Sequence, residues 1–421
     1  LVTVFGQSAG AGSAAMHMLS PLSQGLVHQA ICESGADSNL WTTNWPQQSP
    51  EEYVYQTAEK TGCDVGSDPE IVACLKSLDW RTIRDNQNIT CTPGYFCQGY
   101  APIVDGPGGF MPDYPDVIRE SGEFVKGPLI TGICRDDGSL YTLGYIPEAD
   151  EGEGFTREEF LFYMEDRLLS MFSARMDETM YNNVLNAMDF YYSPWPHLDN
   201  LWENREAFNK LATDMAFGMP MDRQALWHYP HADTYTYIQG YRPLNASSFI
   251  PEWMGVPHNG ELPYVWGYPR LLHNEAVRND SRIHFDIVGW VDPEDIEYTD
   301  FLEEMWTNFA KFGNPTPEPV PSPGANEPTT WPKFTEEGRD YLDVDEEIQV
   351  LQDYRSRNLA FWREYLSYLT GWDVRNTDKP SKVSGSSFDS GKFSEAQIKK
   401  IIDSVAKHFG QDMVDRVIAG N

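Results

Sequence analysis

The chain has 421 residues, 41% of them hydrophobic and 13% aromatic, a composition that excludes a disordered or fibrous protein and leaves room for a large core. With 64 Asp and Glu against 31 Lys and Arg, the formal charge is -33. That excludes the basic footprint of a nucleic-acid binder, and we read the negative field as solubilising.

The predicted elements begin at the first residue. Leu1-Val2-Thr3-Val4-Phe5 reads as a buried strand with no lead-in, from which we expect a further segment upstream in the intact protein. Gly6-Gln7-Ser8-Ala9-Gly10 follows, and the small apolar stretch Ser13 to Leu19 suits a buried helix closed by Ser20-Pro21. Residues 27–31, 128–133 and 233–238 read as further strands, the last by alternation of β-rich residues, and residues 157–172 and 300–312 as helices. Strands alternating with helices predict an α/β protein. Residues 314–332, rich in Pro, Gly and Glu, predict a surface loop. Residues 373–393 read as a polar linker. Residues 394–421 read as an amphipathic helical tail: Ser394-Glu395-Ala396-Gln397 is a capping-box pattern, and Ile398, Ile401, Val405 and Phe409 follow at helical spacing. Such a tail either self-associates or packs on the body. Apolar runs are short and interrupted, so no membrane span is predicted.

Gly6-Gln7-Ser8-Ala9-Gly10 fits the pattern G-x-S-x-G, with a strand before it and a helix after it. That context predicts a sharp, strained turn that lifts the Ser8 hydroxyl clear of the sheet. Side chains at either flanking glycine are expected to clash there. The turn also sets the Ala9 N–H at a helix start, where the dipole favours an oxyanion. A serine hydroxyl needs an adjacent base, and in this arrangement the chain order is Ser, then Asp or Glu, then His. Asp136 and Asp137 directly follow the strand at 128–133, and either could be the acid. Of nine histidines, His258 stands out in a Gly- and Pro-punctuated loop, Glu252 to Leu262, downstream of the strand at 233–238. There is no zinc-type CxxC pair, and this chemistry calls for neither metal nor cofactor.

Several separate stretches resemble the type-B carboxylesterase and cholinesterase family, from residue 1 to about residue 372. They are Ser20-Pro21-Leu22-Ser23, Ala30-Ile31-Cys32-Glu33-Ser34-Gly35, Ala101-Pro102-Ile103-Val104-Asp105-Gly106, Asn308 to Pro315, and Trp331-Pro332-Lys333-Phe334. The resemblance implies an α/β-hydrolase fold: a mostly parallel central sheet flanked by helices, with residues 1–372 as the C-terminal part of the catalytic domain. It implies that the first strands and a Gly-rich oxyanion loop lie upstream of residue 1. Residues 1–421 by themselves are therefore expected to be poorly folded and inactive, and the full-length protein active. The family's acid directly precedes Gly-Ser, which selects Asp137, and its histidine opens an H-G-x-E-L-like motif, which selects His258. Asp137 is shorter than the Glu usual in the family, so a small backbone shift is expected. Gln7 stands where cholinesterases often carry Glu. Ser34 resembles a family serine near the triad and is expected to hydrogen-bond there.

The implied activity is that of a serine carboxylic ester hydrolase working through an acyl-enzyme. A cholinesterase is the second reading and a non-catalytic adhesion protein the third. Pocket positions implied by the family are Phe96, Gln98, Leu140 and Tyr141. Leu140 in place of an aromatic, and Gln98 in place of one Phe of an F-x-F pair, disfavour a dedicated acetylcholinesterase, whereas Pro251-Glu252-Trp253-Met254-Gly255-Val256 is cholinesterase-like. Cys63 and Cys74 match a family disulfide, which would contribute roughly 3 kcal/mol. Cys91 and Cys97 could form a second small bridge, and Cys32 and Cys134 read as buried thiols. The cysteine pairs and the sequons at Asn88, Asn245 and Asn279 lean toward a secreted protein with a signal peptide upstream, acting on a small-molecule ester.

Overall fold

A computed structural model describes residues 1–39, 41–43, 50–88, 99–145, 154–172, 178–243, 250–275, 292, 295–366 and 369. Phe96, Gln98, Cys91, Cys97, Asn245, Asn279, the linker at 373–393 and the tail at 394–421 lie outside the described residues. The chain divides into two compact units, the first drawing its described residues from 1–42, 105–160 and 188 onward, the second from 43–104 and 161–187.

The first unit is built on one six-stranded sheet of order β1-β2-β3-β4-β5-β6. The strands are β1 Thr3–Gln7, β2 Gln29–Glu33, β3 Leu129–Cys134, β4 Thr234–Gln239, β5 Asp340–Val344 and β6 Gln349–Gln352. All pairs are parallel except β5 with β6. Every residue of β2, β3 and β4 is buried, as a parallel sheet covered on both faces requires. The alternation read in β4 is therefore not a buried face and a wet face. Tyr235 and Tyr237 enter the main core, while the hydroxyls of Thr234 and Thr236 bond to the carbonyls of Ala232 and Asp340.

Helix α1, Ala9–Leu19, owes its place to small residues: Ala11, Ala14 and Ala15 let it lie close on the sheet against Ala30, Cys32 and Leu129. Helix α2 is Ser139–Tyr145. Helices α3, Leu201–Thr213, and α4, Met219–His228, are joined by a π-helical turn, Asp214–Gly218. The turn directly precedes α4, whose second residue, Pro220, lacks an N–H to donate back into the ladder. Asp214 pins the turn by accepting from Arg355 Nε (2.6 Å) and Nη2 (2.7 Å), Tyr192 Oη (2.9 Å) and Asn358 Nδ2 (3.0 Å). Helix α5, Ile296–Phe312, starts earlier than predicted and buries Tyr298, Phe301, Leu302, Met305, Trp306 and Phe309, a stripe at helical spacing. Residues 314–332 do not form a plain surface loop. Val320 pairs with Thr329 in an isolated bridge, and Val320 and Trp331 are core residues, the Trp331 indole donating to Thr236 O at 3.1 Å.

In the second unit, Pro50–Thr61 and Asp68–Ser77 are helices, and the Cys63–Cys74 disulfide ties the segment just after the first to the second, over a small core of Ala58, Cys63 and Ile71. Cys32 and Cys134 are buried free thiols. No described helix is long and apolar enough to cross a membrane.

Candidate active site

The parallel register aligns the carboxyl ends of β1, β2 and β3, with Gln7 opposite Glu33 and Glu33 opposite Gly132. The residues that follow each strand therefore collect at one edge, where sites of parallel sheets form. Ser8 leaves β1 with φ 58° and ψ -121°, a left-handed backbone that a serine adopts only under constraint. The constraint is visible. Ser8 N–H donates to Glu33 O at 2.8 Å, and Ser8 O accepts from Gly12 N–H at 3.1 Å. A Cβ on Gly6 would lie 2.5 Å from the Gly10 carbonyl carbon, and one on Gly35 would lie 2.5 Å from Ser8 O. The expected clash at Gly10 itself is absent: a Cβ there meets nothing within 4 Å. The turn is closed by Gly6 and Gly35 instead. Ala9 is the first residue of α1, so its N–H has no carbonyl one turn earlier in the helix to bind.

At the end of β3 the two candidate acids divide their work. Asp136 ties down the next loop: its N–H donates to Val256 O and its Oδ2 accepts from Val256 N–H, both at 3.0 Å. Burial pushes its carboxyl above the usual range. Asp137 is fully buried, with Oδ2 accepting from Cys134 N–H (2.9 Å) and Oδ1 lying 2.7 Å from His258 Nδ1. The shorter acid thus reaches the imidazole. Burial works to lower the His258 pKa, but the hydrogen bond and charge of Asp137, with Glu261 behind, outweigh it and hold the pKa above the ordinary histidine value. With Nδ1 donating to Asp137, Nε2 carries the lone pair.

Ser34, at φ 50°, is buried and accepts from Cys134 N–H at 3.3 Å, the same N–H that Asp137 Oδ2 shares. It touches the acid through that common donor. Leu140 and Tyr141 lie in the first turn of α2; Leu140 is 41% exposed, and the Tyr141 ring lies 6.1 Å from the Phe217 ring. Asn88 is exposed. Among the described residues, no hydrogen bond joins Ser8 Oγ to His258, and no group of His, Cys, Asp and Glu side chains is arranged to hold a metal ion.

Sequence reasoning missed two neighbours of the imidazole. Gln7 Nε2 lies 3.4 Å from His258 Nδ1 and 3.3 Å from Nε2. Phe217, carried on the π turn, sets its ring 4.8 Å from the imidazole, with Trp41 6.2 Å beyond. Gln7 sits inside the serine motif and was legible as a neighbour of Ser8. Phe217 carries no motif, and nothing short of the turn's geometry brings it to the site. A chain that sets a strained serine, a buried carboxylate and a bonded imidazole along one sheet edge has the parts for acyl transfer.

A family model described as "Carboxylesterase family" matches residues 1–362. The chain is 30% identical to an acetylcholinesterase of Bungarus fasciatus over 373 residues, covering 87% of this chain and 56% of that protein. It is 27% identical to neuroligin-2 of Rattus norvegicus and of Homo sapiens over 378 residues, covering 87% of this chain and 42% of each. The chain thus spans about half the length of these relatives.

Proposed function

Because the chain belongs to the carboxylesterase family, with its α/β-hydrolase fold, we propose that it is a serine carboxylic ester hydrolase with Ser8 as nucleophile, His258 as base and Asp137 as acid. The observation that carries this reading is the 2.7 Å contact of Asp137 with His258 Nδ1, which leaves Nε2 as the acceptor, on the sheet edge that also bears the Ser8 turn. His258 Nε2 takes the Ser8 proton as Oγ attacks the ester carbonyl. The Ala9 N–H donates to the oxyanion that forms. Collapse expels the alcohol, protonated by the same imidazole, and water then cleaves the acyl-enzyme by the reverse sequence. Phe217 neighbours His258, and Tyr141 and Trp41 each neighbour Phe217; this aromatic group suits an apolar substituent of the substrate.

Two details favour a neutral ester over a choline ester. Gln7 places no negative charge beside the nucleophile, and Leu140 offers no aromatic face to a cation. The similarity to an acetylcholinesterase keeps the choline reading as the alternative. A non-catalytic binding role, with an adhesion partner, is favoured by one observation, the unmade Ser8–His258 hydrogen bond. Such bonds commonly tighten only with substrate in place. The Cys63–Cys74 disulfide and the exposed sequon asparagine Asn88 support an oxidising, extracellular setting.

The test is turnover of a chromogenic acetate ester by the full-length protein, beside acetylthiocholine. Hydrolysis that Ser8→Ala abolishes is expected. Retained turnover in that variant overturns the assignment, and no turnover in the parent protein favours the binding role.

A further inference from the structure

The loop that carries His258 is gripped from two strand ends by side chains of opposite charge. Asp136 stands two residues past β3 and Arg242 three past β4, and these strands are neighbours in register, with Cys134 opposite Gln239. Both side chains close on one peptide unit, the bond between Gly255 and Val256. Its N–H donates to Asp136 Oδ2 at 3.0 Å, and its carbonyl accepts from Arg242 Nη1. The anion thus sits at the positive end of the peptide dipole and the cation at the negative end, so each bond strengthens the other. The second arm of the guanidinium, Nη2, donates to Ile250 O at 2.8 Å. One planar fork therefore ties together both ends of the turn that runs through Glu252–Met254.

Gly255 makes this grip possible. It adopts φ 61° and ψ -126°, a conformation that favours glycine, and a Cβ there would run into the Asp136 carboxylate. On the far side of Val256, its carbonyl accepts from Asp136 N–H at 3.0 Å. Only Pro257, whose φ is fixed by its ring, separates Val256 from His258. The orientation of the gripped peptide is therefore passed to His258 with little slack. Asp137 then meets the imidazole Nδ1 at 2.7 Å. Two adjacent residues hold the backbone and the ring of one histidine, and without Arg242 the peptide is gripped at one end only. Arg242 is half-buried, and Glu252 and Asp136 are the charges that favour its cationic form against that burial.

We propose that Arg242 is a positioning residue for the base: with Asp136 it clamps the Gly255–Val256 peptide, and the clamp sets where His258 leaves the loop and so whether its ring meets Asp137. The effect on catalysis rests on the esterase reading; the clamp on the loop does not.

The test uses the full-length protein and Arg242→Ala, with kcat counted per active site titrated by a fluorophosphonate. A loss of about 10²-fold in kcat with KM near that of the parent is expected, as for a base displaced by about 1 Å. Added guanidinium ion should restore much of the rate, and urea at the same concentration should not. An unchanged kcat per titrated site, with fewer sites, means that Arg242 only stabilises the fold and overturns the proposal. So does a rise in KM alone. If Arg242→Ala does not fold, Arg242→Lys, which keeps the charge but not the fork, should show an intermediate loss in kcat, and the parental kcat there overturns the proposal. A second readout needs no turnover. The low-field proton resonance of His258 Nδ1–H, assigned by its loss in His258→Gln, should broaden or vanish in whichever Arg242 variant folds. Its persistence unchanged overturns the clamp. Absence of any hydrolysis in the parent protein defeats the esterase reading, and the proton resonance then still decides the clamp.

Discussion

The two sides of His258 are built differently. On the Nδ1 side, a buried carboxylate 2.7 Å away is itself held by Cys134 N–H, and the supporting loop is tied twice to Asp136. On the Nε2 side, Ser8 is half-buried on a strained turn, makes no hydrogen bond to the imidazole among the described residues, and leaves that nitrogen within reach of the Gln7 amide. The Nδ1 side belongs to the packed interior, where an unpaired polar group would be costly, so its bonds are made in advance. The Nε2 side keeps its last bond unmade. Under the proposed function this is a preorganised base beside an open nucleophile.

The largest test of that contrast is on the closed side. Asp137→Asn keeps the size of the side chain but stabilises the wrong tautomer, and should lower kcat by about 10⁴-fold in the ester assay with little change in thermal unfolding. A small loss would mean that Asp137 does not orient the base. Next is the tie between turn and loop. Asp136→Ala strips a buried N–H of Val256 of its acceptor and should cost about 1–3 kcal/mol in urea unfolding, with the denaturant slope unchanged. The smallest effect is on the open side. The His258 pKa is already raised, so its neutral, base-competent form is gained only as pH climbs past about 6.5, the ordinary histidine value. Gln7→Glu adds a negative charge beside Nε2 and favours the imidazolium further. The acid limb of kcat/KM should move up by about one pH unit, with about a tenfold loss well below the limb. A limb that stays put would separate Gln7 from the working imidazole.

Legibility followed how local each cause was. The serine turn could be read because β1, the two glycines and the small-residue helix are consecutive in the chain and the strain is local. The helix at Arg157–Phe172 and the strands at Leu129–Cys134 and Thr234–Gln239 appear close to where their apolar patterns put them. β5 and β6 were not read: Asp340–Val344 and Gln349–Gln352 are short, polar and partly exposed, and only pairing with β4 and with each other makes them strands. The role of Gly10 was misjudged because the clash in question depends on which backbone folds over which, and that is Gly6 against Gly10.

By itself the sequence determined the α/β plan and the serine turn, because strand periodicity and turn chemistry act over a few residues, and its resemblance to the carboxylesterase family added the parallel sheet and pointed to Asp137 and His258. Tertiary structure decided the rest. It separated Asp137, which meets the imidazole, from Asp136, which holds the loop, although the two are adjacent and chemically alike. It carried Phe217 on a π turn to the His258 ring, and it brought the buried Glu33, from β2, to the Trp306 indole of a helix more than two hundred residues later. These relations depend on distances across the sheet and on exclusion of water, and neither quantity is written in the order of residues along the chain.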